Sequence, residues 1–255
     1  MLVKFILQKN TVMSALKLSP FQQEKLQYYF NFFDSDGNGQ LELSDLDGFM
    51  KKVLDFTGWD VDSQCARECH EVHECFFHTL MEKAEKGSDR INLAKWFRMW
   101  DGLIPGCMSM RNFPVWLRLL PKSLFRIIDK KGDEKIDAKE LADFYVKFVG
   151  IPEGNVTSLV NYAMEQMTDH GKYPLTLDSY NQMFANFLIG RTPYGPGRFI
   201  FGCFEHMVQR TEFQLIQGPS DILQDPLSEF KRLQIAQHSP QTPNSLVKVK
   251  FFRAA

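Results

Sequence analysis

Apolar residues recur along this chain at helical spacing in several separate runs. Leu26, Tyr29, Phe30 and Phe33 fall at i, i+3, i+4 and i+7, and Leu46, Phe49, Met50 and Val53 repeat that interval. Each run predicts an amphipathic helix with one buried stripe. Between them the pattern stops for a polar stretch from Asp34 to Asp45. Ser19, Pro20 and Gln22 predict where the first helix starts. The serine caps it, the proline fills a position needing no N–H, and the glutamine returns a bond to the cap. Weaker copies of the unit follow. Leu41, Ile91, Ile136 and Leu175 each precede a helical run, about 40–50 residues apart, which is the signature of a divergent repeat.

The polar stretch carries the candidate chemistry. Asp34, Asp36 and Asn38 stand at its positions 1, 3 and 5, Gln40 at 7 offers a backbone carbonyl, Glu42 stands at 9 and Asp45 at 12. Gly39 at position 6 allows a sharp turn. A helix, a 12-residue loop of oxygen ligands and a second helix make an EF-hand, the geometry that surrounds a hard cation. Its twelfth residue is Asp, not Glu. The shorter arm reaches a central ion less readily with both oxygens, and the lower coordination that results suits Mg²⁺ as well as Ca²⁺.

Residues 129–140 repeat the loop with faults. Asp129, Asp133, Asp137 and Glu140 occupy positions 1, 5, 9 and 12, with the carbonyl of Lys135 at 7. Lys131, however, brings a positive charge to position 3, and Glu134 at position 6 disfavours a left-handed turn. Whether this loop binds a cation or is only structural is left open by the pattern. Two further loops lack a ligand set: 84–95 has Ala84, Lys86 and Lys95 at key positions, and 168–179 has His170, Lys172 and Pro174. Their expected role is to pair with the other hands, each at its eighth residue, and cover their apolar faces.

Four hands predict an all-α fold of two pairs, one in 18–104 and one in 105–205, packed as one compact body. The Gly-, Pro- and Met-bearing stretch Asp101–Pro114 is read as the connection between them. Residues 1–17 are read as a leader. Residues 206–255, rich in Gln, Ser and Pro, are read as a mostly disordered tail with one short helix near 227–237.

Composition narrows the partners. The chain has 30 basic and 31 acidic side chains over 255 residues, which argues against nucleic acid or an anionic membrane. Its 23 Phe and 11 Met suit helix pairs packed through large, adaptable side chains. Five cysteines, an odd number without secreted-domain spacing, point to a reduced cytoplasmic protein. No apolar run approaches the roughly 18 residues of a membrane span. Lys4 breaks the apolar start too early for a signal peptide, so the sequon at Asn155–Thr157 is not expected to carry a glycan. The expected state is a cytoplasmic monomer.

From Leu18 to Phe204 the chain resembles the invertebrate sarcoplasmic calcium-binding proteins, especially their calexcitin-like branch. The likeness rests on Ser19-Pro20-Phe21, the first loop with Asp45 at its end, and Lys95-Trp96-Phe97-Arg98-Met99-Trp100. Phe113-Pro114-Val115-Trp116-Leu117 and Gly150-Ile151-Pro152 add to it. The resemblance implies a compact four-hand protein that buffers or modestly senses calcium in the cytosol, with one or more hands silent. A sensor would also open a groove for a target helix. Two features depart from the family pattern: the second loop is lost, and Pro121 lies in the helix entering the third hand, where it is expected to kink or break that helix.

Two other constellations bear on function. Cys65, Cys69 and His73 fall on one helix face, with His70, Cys75 and His78 nearby. A zinc site could be built this way, but the second half-site is lacking, and a cysteine-rich apolar seam is the simpler expectation. Gly190 to Arg198 is glycine-rich but lacks the Lys-Ser/Thr that follows the last glycine of a phosphate loop. The segment ending Arg198-Phe199-Ile200-Phe201-Gly202 is similar to the C-terminal segments of relatives that include the juvenile hormone diol kinases, so an ATP- or GTP-Mg-dependent small-molecule kinase is the alternative function. The simpler expectation is that Phe199 and Phe201 tuck back into the core.

Overall fold

The structure, a computed structural model, describes residues 17–84 and 89–202. Helix α1 (Pro20–Phe33) starts as its sequence predicts. Gln22 N donates to Ser19 Oγ at 3.2 Å and Ser19 N donates to Gln22 Oε1 at 3.0 Å. The first loop follows, containing β1 (Gln40–Leu41), and leads into α2 (Leu43–Thr57). The second hand comprises α3 (Gln64–Ala84), β2 (Ile91–Asn92) and α4 (Leu93–Leu103). β1 and β2 pair antiparallel with Leu41 opposite Ile91, joining the two loops at their eighth residues as expected.

The second pair is built alike. Helices α5 (Val115–Arg118) and α6 (Leu120–Ile128) enter the third hand. The expected break falls at Leu119, and Pro121 sits in the first turn of α6, where its missing N–H costs nothing. The exiting helix α7 (Ala138–Asp143) widens into a π-helical turn over Phe144–Val149. Helices α8 (Val156–Met167) and α9 (Leu177–Ile189) frame the fourth hand. Ile136 N donates to Leu175 O at 2.9 Å, so these loops also meet at their eighth residues. The sequence begins the connection between pairs at Asp101, but α4 runs on to Leu103 and the irregular stretch starts at Ile104. Asp101 is thus still on α4, and its carboxylate accepts the Leu18 amide at 3.0 Å.

One core runs through both pairs. The Tyr29 ring lies 5.7 Å from Trp96 and 6.2 Å from Trp100 in its own pair, and 6.1 Å from Phe184 and 5.7 Å from Phe187 on α9. Phe32 and Phe49 meet Phe148, and Phe56 meets Phe144. Burying such a ring contributes about 1.5–3 kcal/mol, so the shared stripe makes a compact all-α body, not two separate lobes.

After α9 the chain turns back through a 3₁₀ turn, Pro196–Phe199. Phe199 and Phe201 are buried, as expected. Phe201 stacks on Tyr29 at 5.2 Å and approaches Phe32 at 4.7 Å. Tyr28 and Tyr145 donate their hydroxyls to the carbonyls of Phe201 and Phe199. Among the described residues, no helix is long and apolar enough to cross a membrane. The leader (but for Lys17), Lys86, Cys203 and the tail with its expected short helix lie outside the described residues.

Candidate metal centre

The first loop closes on itself through its acidic side chains. Asp34 leaves the end of α1, and its carboxylate accepts Asn38 N at 3.1 Å and Gly39 N at 3.0 Å. Gly39 has φ +77, the left-handed turn that a glycine adopts without strain. Asp36 accepts Asn38 N at 3.0 Å and Asn38 Nδ2 at 2.8 Å, and Asn38 Oδ1 accepts Gln40 N at 2.8 Å. Asp45, in the first turn of α2, is 1% exposed. It accepts Ser35 N at 2.8 Å, Ser35 Oγ at 3.0 Å and Glu42 N at 2.9 Å.

This folding brings carboxylate oxygens of Asp34, Asp36 and Asp45 within 4.8 Å of one another. Burial, together with the charges of Asp45 and Asp36, raises the Asp34 pKa against the lowering effect of the Gly39 and Asn38 amides. A cation among these oxygens would relieve that repulsion. Glu42 stands at the edge, bonded by Asn38 Nδ2 at 3.1 Å and paired with Arg90 at 3.2 Å. Gln40 holds position 7 on β1.

Three contributors escape a reading by ligand position. Ser35 holds Asp45 through two bonds. Gly48 lies so close to Ser35 that an added Cβ would stand 2.3 Å from its Oγ. Arg90 reaches Glu42 from the second loop. The register pairing Leu41 with Ile91 is the sequence signal that places Arg90 beside the first loop.

The third loop also gathers its acids. Oxygens of Asp129, Asp133 and Glu140 come within 4.8 Å of one another. Asp129 accepts Gly132 N at 2.8 Å and Glu134 N at 3.0 Å, and Asp133 Oδ1 accepts Lys135 N at 3.2 Å. Glu140, 4% exposed, accepts Lys131 N and Asp137 N, each at 3.0 Å. Glu134 adopts φ +64, so the loop makes the turn despite a side chain that disfavours it. Asp137 stands apart from the three-acid group: one oxygen caps α7 by accepting Lys139 N and Glu140 N, each at 2.9 Å, and the other pairs with the Lys131 ammonium. That pairing holds the Asp137 pKa below, and the Lys131 pKa above, their usual values.

Among the described residues the other constellations gather no such group. In the fourth loop Ser179 at position 12 donates to the carbonyls of Pro174 and Thr176, both at 3.0 Å. In the second, Lys95 at position 12 has its amide capped by Asn92. His73 is fully buried between Phe33 and Phe49, its Nδ1 2.8 Å from the Cys69 carbonyl. Burial lowers its pKa to about 4 and raises that of Cys69 to about 11, so this face is a neutral apolar seam. Among the described residues, the groups of three or more potential ligands are the two acidic ones. Gly195 and Gly197 of the glycine-rich segment press against Asn186, whose Oδ1 accepts Gly197 N at 3.0 Å. Arg198 is buried with its guanidinium on the Pro193 carbonyl. That segment is packed against α9, not held open as a phosphate cradle.

Paired helix–loop–helix units with these loops define an EF-hand protein. No family model matches the chain. The sarcoplasmic calcium-binding proteins I, III and IV of Branchiostoma lanceolatum are 23% identical over 173 residues, which is 67% of this chain and 91% of theirs. A sarcoplasmic calcium-binding protein structure from amphioxus superposes with a TM-score of 0.62 at 22% identity, covering 72% of this chain and 97% of that one. Calcium-loaded apo-aequorin from Aequorea victoria gives 0.55 at 20% identity, covering 69% and 94%. The chain is therefore sarcoplasmic calcium-binding protein-like in sequence and in fold.

Proposed function

We propose that this protein binds Ca²⁺, with Mg²⁺ as competitor, through the loop from Asp34 to Asp45, and that it acts in the cytoplasm as a buffer. The observation that carries this reading is the convergence of Asp34, Asp36 and Asp45 in a loop with no basic side chain. Asn38, the Gln40 carbonyl and Glu42 complete the ligand set. The relatives' names, sarcoplasmic calcium-binding proteins, support the choice of ion. Asp45 as the short twelfth arm supports magnesium competition, since a six-oxygen shell suits the smaller ion. A buffer is favoured over a sensor because the chain's own Phe199 and Phe201 are already buried in the core that the two pairs share.

Calorimetric titration with Ca²⁺, Mg²⁺ and ATP-Mg tests this. Sub-millimolar calcium uptake is expected and is lost in Asp34→Ala; absence of uptake in the wild-type protein would sink the reading. Heat with ATP-Mg would favour the diol-kinase alternative. Asp45→Glu is expected to raise calcium affinity and weaken magnesium competition, and unchanged affinities would refute the role given to position 12.

A further inference from the structure

The two acidic loops have nearly the same shape and very different charge. Residues 34–45 contain four acidic and no basic side chains, whereas 129–140 contain five acidic and four basic ones. Lys130 turns outward, to Asp143 at 3.1 Å and over the Phe56 ring at 4.5 Å. Lys131 turns inward. At position 3, where the first loop has the ligand Asp36, its ammonium pairs with Asp137 at position 9. Its backbone N–H meanwhile holds Glu140 at position 12. Glu140 and Asp133 also attract the same charge. One residue thus engages the ninth and twelfth ligand positions at once.

We propose that Lys131 serves the third hand as a tethered counter-cation, which keeps the loop in its binding shape without a metal ion and discriminates against divalent ions at concentrations that load the first loop. The inference rests on the reading of the first loop as the calcium site. Its physical basis is direct. A cation entering among Asp129, Asp133 and Glu140 meets one oxygen ligand fewer and a positive charge a few ångströms away. Even at a water-like dielectric that charge weakens binding of a divalent ion by at least about tenfold. A divalent ion can displace the ammonium, but only by freeing Asp137 from its partner. Lys131 is then a specificity-determining residue: it leaves the first hand as the one that responds to calcium while the second pair stays formed throughout.

The test separates charge from ligand count. In a protein whose first loop is silenced by Asp34→Ala, Lys131→Asn removes the charge and restores an oxygen at position 3. Calorimetry with calcium is expected to show one site, at least about tenfold tighter than with Asp34→Ala alone. Lys131→Met removes only the charge. In chelator it is expected to lower Tm by a few degrees, a loss that added calcium reverses. Equal calcium binding with and without Lys131→Asn, or a Lys131→Met protein that melts in chelator like the wild type, would overturn the proposal. Failure of the first-loop reading looks different: Asp34→Ala alone would then bind calcium as the wild type does.

Discussion

Lys25 on α1 is 2% exposed, and among the described residues its ammonium has no carboxylate partner. Its ammonium donates to the carbonyls of Gly190 at 2.7 Å, Asn186 at 3.4 Å and Phe187, all at the end of α9, and lies near the Phe21 and Phe187 rings at 4.9 and 5.5 Å. It thus caps a helix of the second pair from a helix of the first. Burial lowers its pKa from 10.5 to about 7. Below pH 7 both folded and unfolded chains keep the proton. Between pH 7 and 10.5 the unfolded chain keeps it and the folded one releases it. Unfolding then takes up a proton, and stability rises with pH. The whole shift would be worth about 5 kcal/mol. Bonds from the charge to carbonyls offset part of it, leaving a rise on the order of 2 kcal/mol between pH 7 and 9.5. Urea unfolding at both pH values, in wild type and in Lys25→Met, isolates this contribution, because the variant keeps the apolar stem and lacks the titration. The wild type is expected to gain stability relative to Lys25→Met as pH rises. Equal changes in the two proteins would refute the assignment.

Three further outcomes follow from packing and backbone geometry. Phe201→Ala removes a ring that meets Tyr29, Phe32, Phe184 and Phe187, and is expected to cost about 3–5 kcal/mol in denaturant unfolding; a loss under 1 kcal/mol would mean the returning segment does not join the pairs. Glu134→Gly frees a left-handed position and is expected to stabilise by about 0.5–1 kcal/mol, read by thermal melting; a lower Tm would refute that. Gly48→Ala pushes Ser35 away from Asp45 and is expected to weaken calcium binding about tenfold in calorimetry, at a cost of about 1–2 kcal/mol in stability; unchanged affinity would separate Ser35 from the site.

Short-range signals were the ones the sequence displayed. The cap at Ser19, the stripe Leu26–Phe33 and the break just before Pro121 each depend on a few neighbouring residues, and each appears in the fold. The acidic residues that converge were legible for the same reason, because a 12-residue loop fixes their spacing. Apart from the loop pairing at eighth residues, which the repeat itself implies, contacts made across the chain were not. Nothing near Lys25 in sequence indicates that it caps α9, and nothing near Asp45 indicates that Gly48 must be small for Ser35 to hold it. The inward turn of Lys131 was visible as a charge at position 3 but not as a bond to Asp137, because a lysine stem reaches several partners and only the folded loop selects one.

The returning segment at Pro196–Gly202 also sets an order of events during synthesis. Tyr29 lies in the first hand, yet three of its ring neighbours, Phe184, Phe187 and Phe201, belong to the last part of the described chain. Such pairings close long loops and slow folding. On the ribosome, α1 emerges well before the residues that cover this side of it. A nascent chain therefore exposes an aromatic face until nearly all of the described sequence has been made, and in that interval the paired second hand is its available shelter.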